Sequence, residues 1–276
     1  MPRPSSSGSG VAEVTTTALL LRRYDFGETS QIGHLLGAAE GRVSVLAKGI
    51  KKPNPRLKGP FDLFQWARVR YRRRAGSDLA LLTFYEPLTG FRGLRSRLDR
   101  FYAAAYLCEL VYELAPERHS QPDLLRAALA GLKALAGVPR GRSSSVLVAS
   151  ELQILEATGF RPDLDRCVGC GRPLRAESTR FSPRLGGFLG EECPTQGSSL
   201  QFCSAGSRAA LAALWRAGPA SAASLRLDRR QESELRSLFR EHGREILERP
   251  LRSEPFVTDV RYGFPRLGTC ASKLGP

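Results

Sequence analysis

Four of the six cysteines cluster in the second half of the chain, Cys167, Cys170, Cys193 and Cys203, with the spacing C-x2-C-x22-C-x9-C. A C-x2-C knuckle followed by Gly171 is a tight turn on which two thiolates and nearby amides converge on zinc, and a second pair of thiolates completes a tetrahedral structural site. The first pair has this form. The second is irregular, because a regular ribbon would carry its next cysteine at Gly190, three residues before Cys193. Two readings stay open: Cys203 is the fourth ligand across a longer loop, or the cluster binds metal weakly or not at all. His34, His119 and His242 lie far off in sequence, and Glu191 and Glu192 are nearer but less usual structural ligands. Four thiolates leave no position for a reacting water, so the chemistry expected here is structural. Cys108 falls on the apolar side of a helix and reads as core packing, and Cys270 has no assigned role.

The second concentration of chemistry is cationic. Lys and Arg number 42 against 27 Asp and Glu, a formal charge of +15. Residues 42–74 hold eleven of these basic side chains and one acid, Asp62. In a strand alternate residues share a face, so Trp66, Arg68, Arg70 and Arg72 project together while Ala67, Val69 and Tyr71 face a core. Guanidiniums about 7 Å apart match the phosphate spacing of an extended nucleic-acid strand. Arg73 and Arg74 follow directly, and the loop before the strand adds Lys48, Lys51, Lys52, Arg56 and Lys58 on a segment expected to be mobile. Such a surface suits wrapping a sugar-phosphate backbone without reading bases. Trp66 has two readings, a stacking platform beside the cations or part of a small core. Edge protection by Lys and Arg accounts for one or two charges per edge, not for this density.

The elements that must position these residues follow from hydrophobic period. From residue 15 to 88, five short apolar runs separated by turn residues (Thr15–Arg22, Ile32–Leu36, Arg42–Lys48, Leu63–Arg72 and Leu79–Tyr85) predict a five-stranded barrel of the OB-fold type. Beyond Pro87 the period changes, and residues 89–160 read as a helical domain with helices over Leu98–Leu114, Asp123–Ala136 and Ser145–Ala157. Residues 161–204 form a Cys-rich, zinc-ribbon-like region. Residues 205–250 hold further helices, Arg208–Trp215 and Gln231–Leu247, packing on the helical domain, and 251–276 is a poorly patterned extension. The class is therefore α+β, with an N-terminal OB-fold barrel, a helical-bundle middle and a small Cys-rich insert. Residues 1–14, rich in Ser, Gly and Pro and without an apolar run, read as a disordered tail and not a secretory signal, which predicts a cytoplasmic protein. No run of eighteen apolar residues occurs, so no membrane-spanning helix is expected. The partner expected for the cationic surface is nucleic acid and no membrane, with anionic membrane headgroups or an acidic protein tail as the competing readings.

Enzyme signatures are missing. There is no G-x-x-x-x-G-K-[ST] loop, no H-E-x-x-H and no G-x-S-x-G, and the Gly-rich stretch Leu185–Gly190 fits a turn within the ribbon. The acid pairs Asp163 with Asp165 and Glu191 with Glu192 read as solvated surface. The expectation is a binding protein with no catalytic residues.

This order of parts, and the segments that carry it, resemble the RecO family of bacterial recombination mediators. Ala18–Ser30 is similar to that family's opening strand and turn, and Val45–Lys52 to its basic third strand and loop. Leu155–Arg172 is similar to its entry into the cysteine ribbon, and Phe181–Leu189 to its F-S-P-x-x-G-G-x-L stretch before the second cysteine pair. The match runs over about residues 15–250 and departs at Gly190. The resemblance implies a nucleoid-associated protein that binds single- and double-stranded DNA and anneals complementary strands. It further implies that, with RecR, such a protein loads RecA onto strands coated by single-stranded DNA-binding protein, whose acidic C-terminal tail it docks. The only cofactor implied is a structural Zn2+ that some members lack. Two alternatives compete: a zinc-ribbon nucleic-acid-modifying enzyme with an unrecognised active site, and a basic scaffold that docks acidic protein tails.

Overall fold

The computed structural model describes residues 11–74, 76–175, 180–194 and 200–259, so Cys270 lies outside the described residues. The chain forms two compact units. One comprises residues up to Arg92 with Cys108–Lys133, the other Gly93–Leu107 with the chain from Ala134 onward, so the two units interleave in sequence.

The first unit is built on β1 (Val11–Phe26), β2 (Ser30–Gly37), β3 (Gly41–Ala47), β4 (Trp66–Arg74) and β5 (Leu79–Thr89). They close into a barrel in the order β1-β2-β3-β5-β4, with β3 and β5 parallel and the remaining pairs antiparallel. This is the expected OB-like ring. β1 is longer than the expected strand at both ends. Val11–Val14, which the sequence analysis placed in a disordered tail, pair with Tyr71–Arg74 of β4. A bulge between Leu20 and Arg22 bends β1 so that one strand serves β4 with its first half and β2 with its second. Strand alternation fills the barrel with Leu20, Leu35, Val43, Val45, Val69, Tyr71, Leu82 and Tyr85. Two glycines mark close approaches. A Cβ on Gly33 would strike the Phe61 ring at 2.6 Å, and one on Gly41, where φ is +68°, would meet the His119 carbonyl at 1.9 Å.

The loop between β3 and β4 is not the mobile segment expected. Ile50, Leu57, Phe61 and Phe64 are buried, and backbone bonds run from Lys51 N to Thr29 O (3.0 Å) and from Lys58 N to Tyr85 O (2.9 Å). Apolar residues within a cation-rich loop act as anchors, and they hold its charges outward.

The helices are α1 (Leu98–Leu114), α2 (Pro122–Gly137), α3 (Ser143–Ala157), α4 (Ala205–Ser221), α5 (Arg229–Leu247) and α6 (Glu254–Asp259). The first three match their expected spans closely, α4 runs longer, and α6 falls in the stretch read as unpatterned. In the second unit α3 is buried almost all round. Its Glu151 accepts hydrogen bonds from Tyr106 of α1 and Arg236 of α5, which joins three helices through one buried carboxylate. Replacing either donor would leave a buried polar group uncompensated. Between α3 and α4 lies a three-stranded sheet, β6 (Arg180–Ser182), β7 (Gly187–Leu189) and β8 (Gln201–Phe202), in the order β7-β6-β8. His242 of α5 is buried, with ring nitrogens 3.1 Å from the Pro183 carbonyl and 2.9 Å from that of Phe160. Among the described residues no helix is long and apolar enough to cross a membrane.

Candidate nucleic-acid interface and cysteine cluster

Strand alternation on β4 places Ala67, Val69 and Tyr71 at 1%, 0% and 0% exposure, while Arg68, Arg70, Arg72 and Arg74 stand exposed on the other face. Trp66 begins this row and is half-buried. The row lies between β1 and β5, and their register decides what stands beside each guanidinium. Arg68 is flanked by Thr17 and Glu86, Arg70 by Thr15 and Phe84, and Arg72 by Glu13 and Leu81.

Two acids therefore border the track. Arg68 lies 3.4 Å from Glu86, which also binds Lys58 at 2.6 Å, and Arg72 lies 3.5 Å from Glu13. The hydrogen bond from Lys58, followed by its charge and that of Arg68, holds the Glu86 carboxyl below its ordinary range. Such exposed pairs, screened by solvent, contribute little, so a phosphate can compete for the arginines. Arg70 donates to Thr15 Oγ1 at 3.3 Å and its guanidinium sits 5.9 Å from the Phe84 ring centroid. The shared Glu86 brings loop Lys58 to the start of the row.

Of the other loop cations, Lys48, Lys52 and Arg56 are exposed, and Lys51 is paired with Asp25 at 2.9 Å. Arg73 belongs to a different setting. Its position on β4 turns it to the inner side, where it donates to both oxygens of Glu40, at 3.1 and 3.3 Å. Tyr71 donates to the same carboxylate at 2.9 Å, and burial followed by that bond pushes its phenol above the ordinary range. Arg42 is likewise engaged, binding Glu117 at 3.2 Å and sitting 4.5 Å over the Tyr112 ring. Part of the cationic density in residues 42–74 thus holds the first unit together.

The cysteine cluster is built differently. Gly171 N donates to the Cys167 carbonyl at 2.8 Å, and Gly171 takes φ +73°, which closes the knuckle. Val168 N donates to Phe188 O on β7, and Cys193 N to Gly190 O, so the two arms face one another. Arg180 on β6 steadies the second arm by donating to the carbonyls of Cys193, at 2.8 Å, and Gly190. The sulfurs of Cys167, Cys170 and Cys193 all lie within 4.8 Å of one another. Thiolates on a tetrahedral zinc stand about 3.8 Å apart, given a Zn–S bond of about 2.3 Å. The three sulfurs therefore suit zinc.

The electrostatics agree. Burial raises the Cys167 thiol, but amide donors led by Gly190 N at 3.3 Å, with Cys170, Gly169 and the Cys193 thiol, bring it down to about 6. Cys193, hydrogen-bonded to the sulfurs of Cys167 and Cys170, is raised to about 12.

Cys203 does not join this group. It follows β8, is fully buried, and points its sulfur to the Ser204 carbonyl at 3.8 Å. Burial, followed by the Glu234 charge, raises its thiol to about 12. Cys203 is thus a packed thiol that follows β8, on the opposite edge of β6 from β7. The reading of Cys203 as fourth ligand is corrected. Gly190 does stand at the cluster, since a Cβ built there would lie 4.0 Å from Cys167 Sγ. Sequence spacing located that position, but the flanking acids Glu13 and Glu86 lay outside the window that drew attention to β4.

Two family profiles match the chain. One described as Recombination protein O N terminal covers residues 11–91, and one described as Recombination protein O C terminal covers 95–255. The chain is 35% identical to a DNA repair protein RecO of Anaeromyxobacter sp. (strain K) over 251 residues, 90% of this chain and 96% of that protein. It is 34% identical to a DNA repair protein RecO of Roseiflexus sp. (strain RS-1) over 247 residues, 89% of this chain and 85% of that one. Likewise, it is 32% identical to a DNA repair protein RecO of Symbiobacterium thermophilum over 245 residues, 88% of this chain and 96% of that protein.

Proposed function

The chain belongs to the RecO family of DNA repair proteins, and on that premise we propose that it is a non-catalytic recombination mediator that binds DNA along β4 and anneals complementary strands. The observation that carries this reading is the exposed row Arg68, Arg70, Arg72 and Arg74 on one face of a closed barrel, with Lys58 at its start. A cation row at strand spacing neutralises successive phosphates of an extended backbone. Two DNA strands repel through their phosphates, and a protein that neutralises both lowers that repulsion and lets bases pair. No bond to carbon, phosphorus or oxygen need be made or broken.

Lys48, Lys52 and Arg56 extend the interface over the anchored loop. Because that loop is held by Ile50 and Leu57, its charges are presented at little ordering cost when DNA arrives. Half-buried Trp66 offers one edge for base stacking at the end of the row. In this reading both single- and double-stranded DNA are ligands. RecR and the acidic C-terminal tail of single-stranded DNA-binding protein are partners in loading RecA, and the site of action is the nucleoid in the cytoplasm. Cys167, Cys170 and Cys193 hold a zinc that ties the knuckle to the arm after β7 and takes no part in DNA chemistry.

The test is annealing of two complementary labelled oligonucleotides. The wild-type chain is expected to accelerate it, and the combined Arg68→Ala, Arg70→Ala, Arg72→Ala variant to lose at least tenfold of that acceleration while remaining folded by circular dichroism. A folded triple variant that anneals as fast as the wild type would move the DNA surface off β4.

A further inference from the structure

Gly190 stands beside the cysteine cluster, where a Cβ would lie 4.0 Å from Cys167 Sγ, and it lines a cavity. The space has a volume of about 530 Å³ and is lined by Cys167, Cys170 and Cys193 together with Gly190, Arg172 and Arg175. All three of the converging cysteines line it. Among the described residues no histidine, carboxylate or fourth cysteine places a ligand atom within the group of three. Glu191 and Glu192 also line the cavity, but their oxygens fall outside that group.

Resting on the reading of the cluster as a metal site, we propose that zinc is held here by three thiolates and keeps an exchangeable fourth position, opening on this cavity, that a small thiol occupies. Zinc in protein sites is almost always four-coordinate, so three protein thiolates leave one position for water or an external ligand. Thiolate is the soft donor that matches the other three. A small thiol binds by losing its proton to solvent as the bound water leaves. No oxidant or reductant takes part. Zinc with three thiolates carries one negative charge and with four carries two; Arg172 and Arg175 line the cavity, as do Glu191 and Glu192. The room is made by the missing side chain at Gly190: a Cβ there meets nothing closer than Cys167 Sγ at 4.0 Å, an ordinary contact. A Gly190→Cys variant is therefore accommodated without strain and closes the site from within.

The experiment reconstitutes the full chain, stripped of metal and kept anaerobic, with Co2+ as a spectroscopic substitute for zinc, and titrates it with 2-mercaptoethanol. Thiolate-to-cobalt charge-transfer absorption grows with each thiolate bound. The wild-type chain is expected to show a three-thiolate spectrum that gains about one third in that absorption as the thiol is added. Gly190→Cys is expected to show the four-thiolate spectrum from the start and not to respond, and Cys203→Ser to behave as wild type. A wild-type cobalt spectrum unmoved by millimolar thiol overturns the open position, as does loss of a thiolate from the spectrum in Cys203→Ser. A wild-type chain that takes up neither Co2+ nor Zn2+ instead overturns the metal reading itself, a separate result.

Discussion

Arg73 and Arg74 are neighbours in sequence but stand on opposite faces of β4, because one residue of β-strand turns a side chain from one face to the other. Arg74 continues the exposed row, whereas Arg73 is half-buried and clasps Glu40 beside the Tyr71 hydroxyl. Arg73→Ala is expected to lower stability by about 1–2 kcal/mol, the scale for a hydrogen bond to a charged group, with little change in DNA affinity. Arg74→Ala should do the reverse, leaving the melting temperature unchanged and weakening DNA binding several-fold. Thermal denaturation beside fluorescence anisotropy separates the two, and an equal loss of affinity in both variants would refute the division of faces. At this scale the sequence was legible wherever strand alternation alone sets orientation, as for Arg68, Arg70 and Arg72. The identity of their neighbours was not legible, since Glu13 and Glu86 come to the row only through the register of β1 and β5 against β4.

The start of α4 is secured by a side chain brought from another element. α4 begins at Ser204, whose side chain accepts from Ser207 N. Glu234 of α5 accepts from Ser204 N at 2.8 Å, from Ser204 Oγ at 2.7 Å and from Arg230 Nε at 2.7 Å. Burial works against the charged form, but the Ser207 hydroxyl together with these donors outweighs it and holds the Glu234 carboxyl at about 2, below its ordinary 4.5. Because the folded value is depressed, the contribution is complete above about pH 4.5 and disappears as pH falls towards about 2. Glu234→Gln is therefore expected to be less stable than wild type at pH 7 by about 1–2 kcal/mol. The gap should narrow steadily as urea denaturation is repeated between pH 5 and pH 2.5. A gap independent of pH would show that the carboxylate charge does not contribute. α5 itself was legible from its 3.6-residue period, while the capping box of Asp228 with Gln231 sets its start at Arg229, two residues before the expected one. The short α6 was not, because six residues carry too little period to stand out from a loop.

For the whole molecule the governing quantity is charge. A formal +15 makes DNA association salt-dependent, and the log of affinity for single strands is expected to fall with the log of salt by about 0.7 per phosphate neutralised. The Arg68, Arg70, Arg72 triple variant removes up to three such contacts, so its slope should be shallower by about 2. Titrations of a single-stranded oligonucleotide between low and moderate salt measure this directly. A slope equal to the wild type would mean that the lost arginines touch no phosphate even if annealing fell.

The amino-acid sequence by itself determined what is local. Alternation set the two faces of β4, helical period set α1, α2 and α3, and the C-x2-C-G turn set the knuckle, because each depends on residues within a few positions of one another. Tertiary structure alone decided what depends on distant pairing. It closed the barrel through the parallel match of Ser44–Leu46 with Leu79–Leu81, and extended β1 back to Val11 by giving it β4 as a partner. It pinned the cationic loop through Ile50 and Leu57, which look like ordinary loop residues until a barrel core is there to receive them. It also separated Cys203 from the other three thiols. Spacing along a chain limits how far apart two residues can be, but whether they meet is decided by the path of the elements between them.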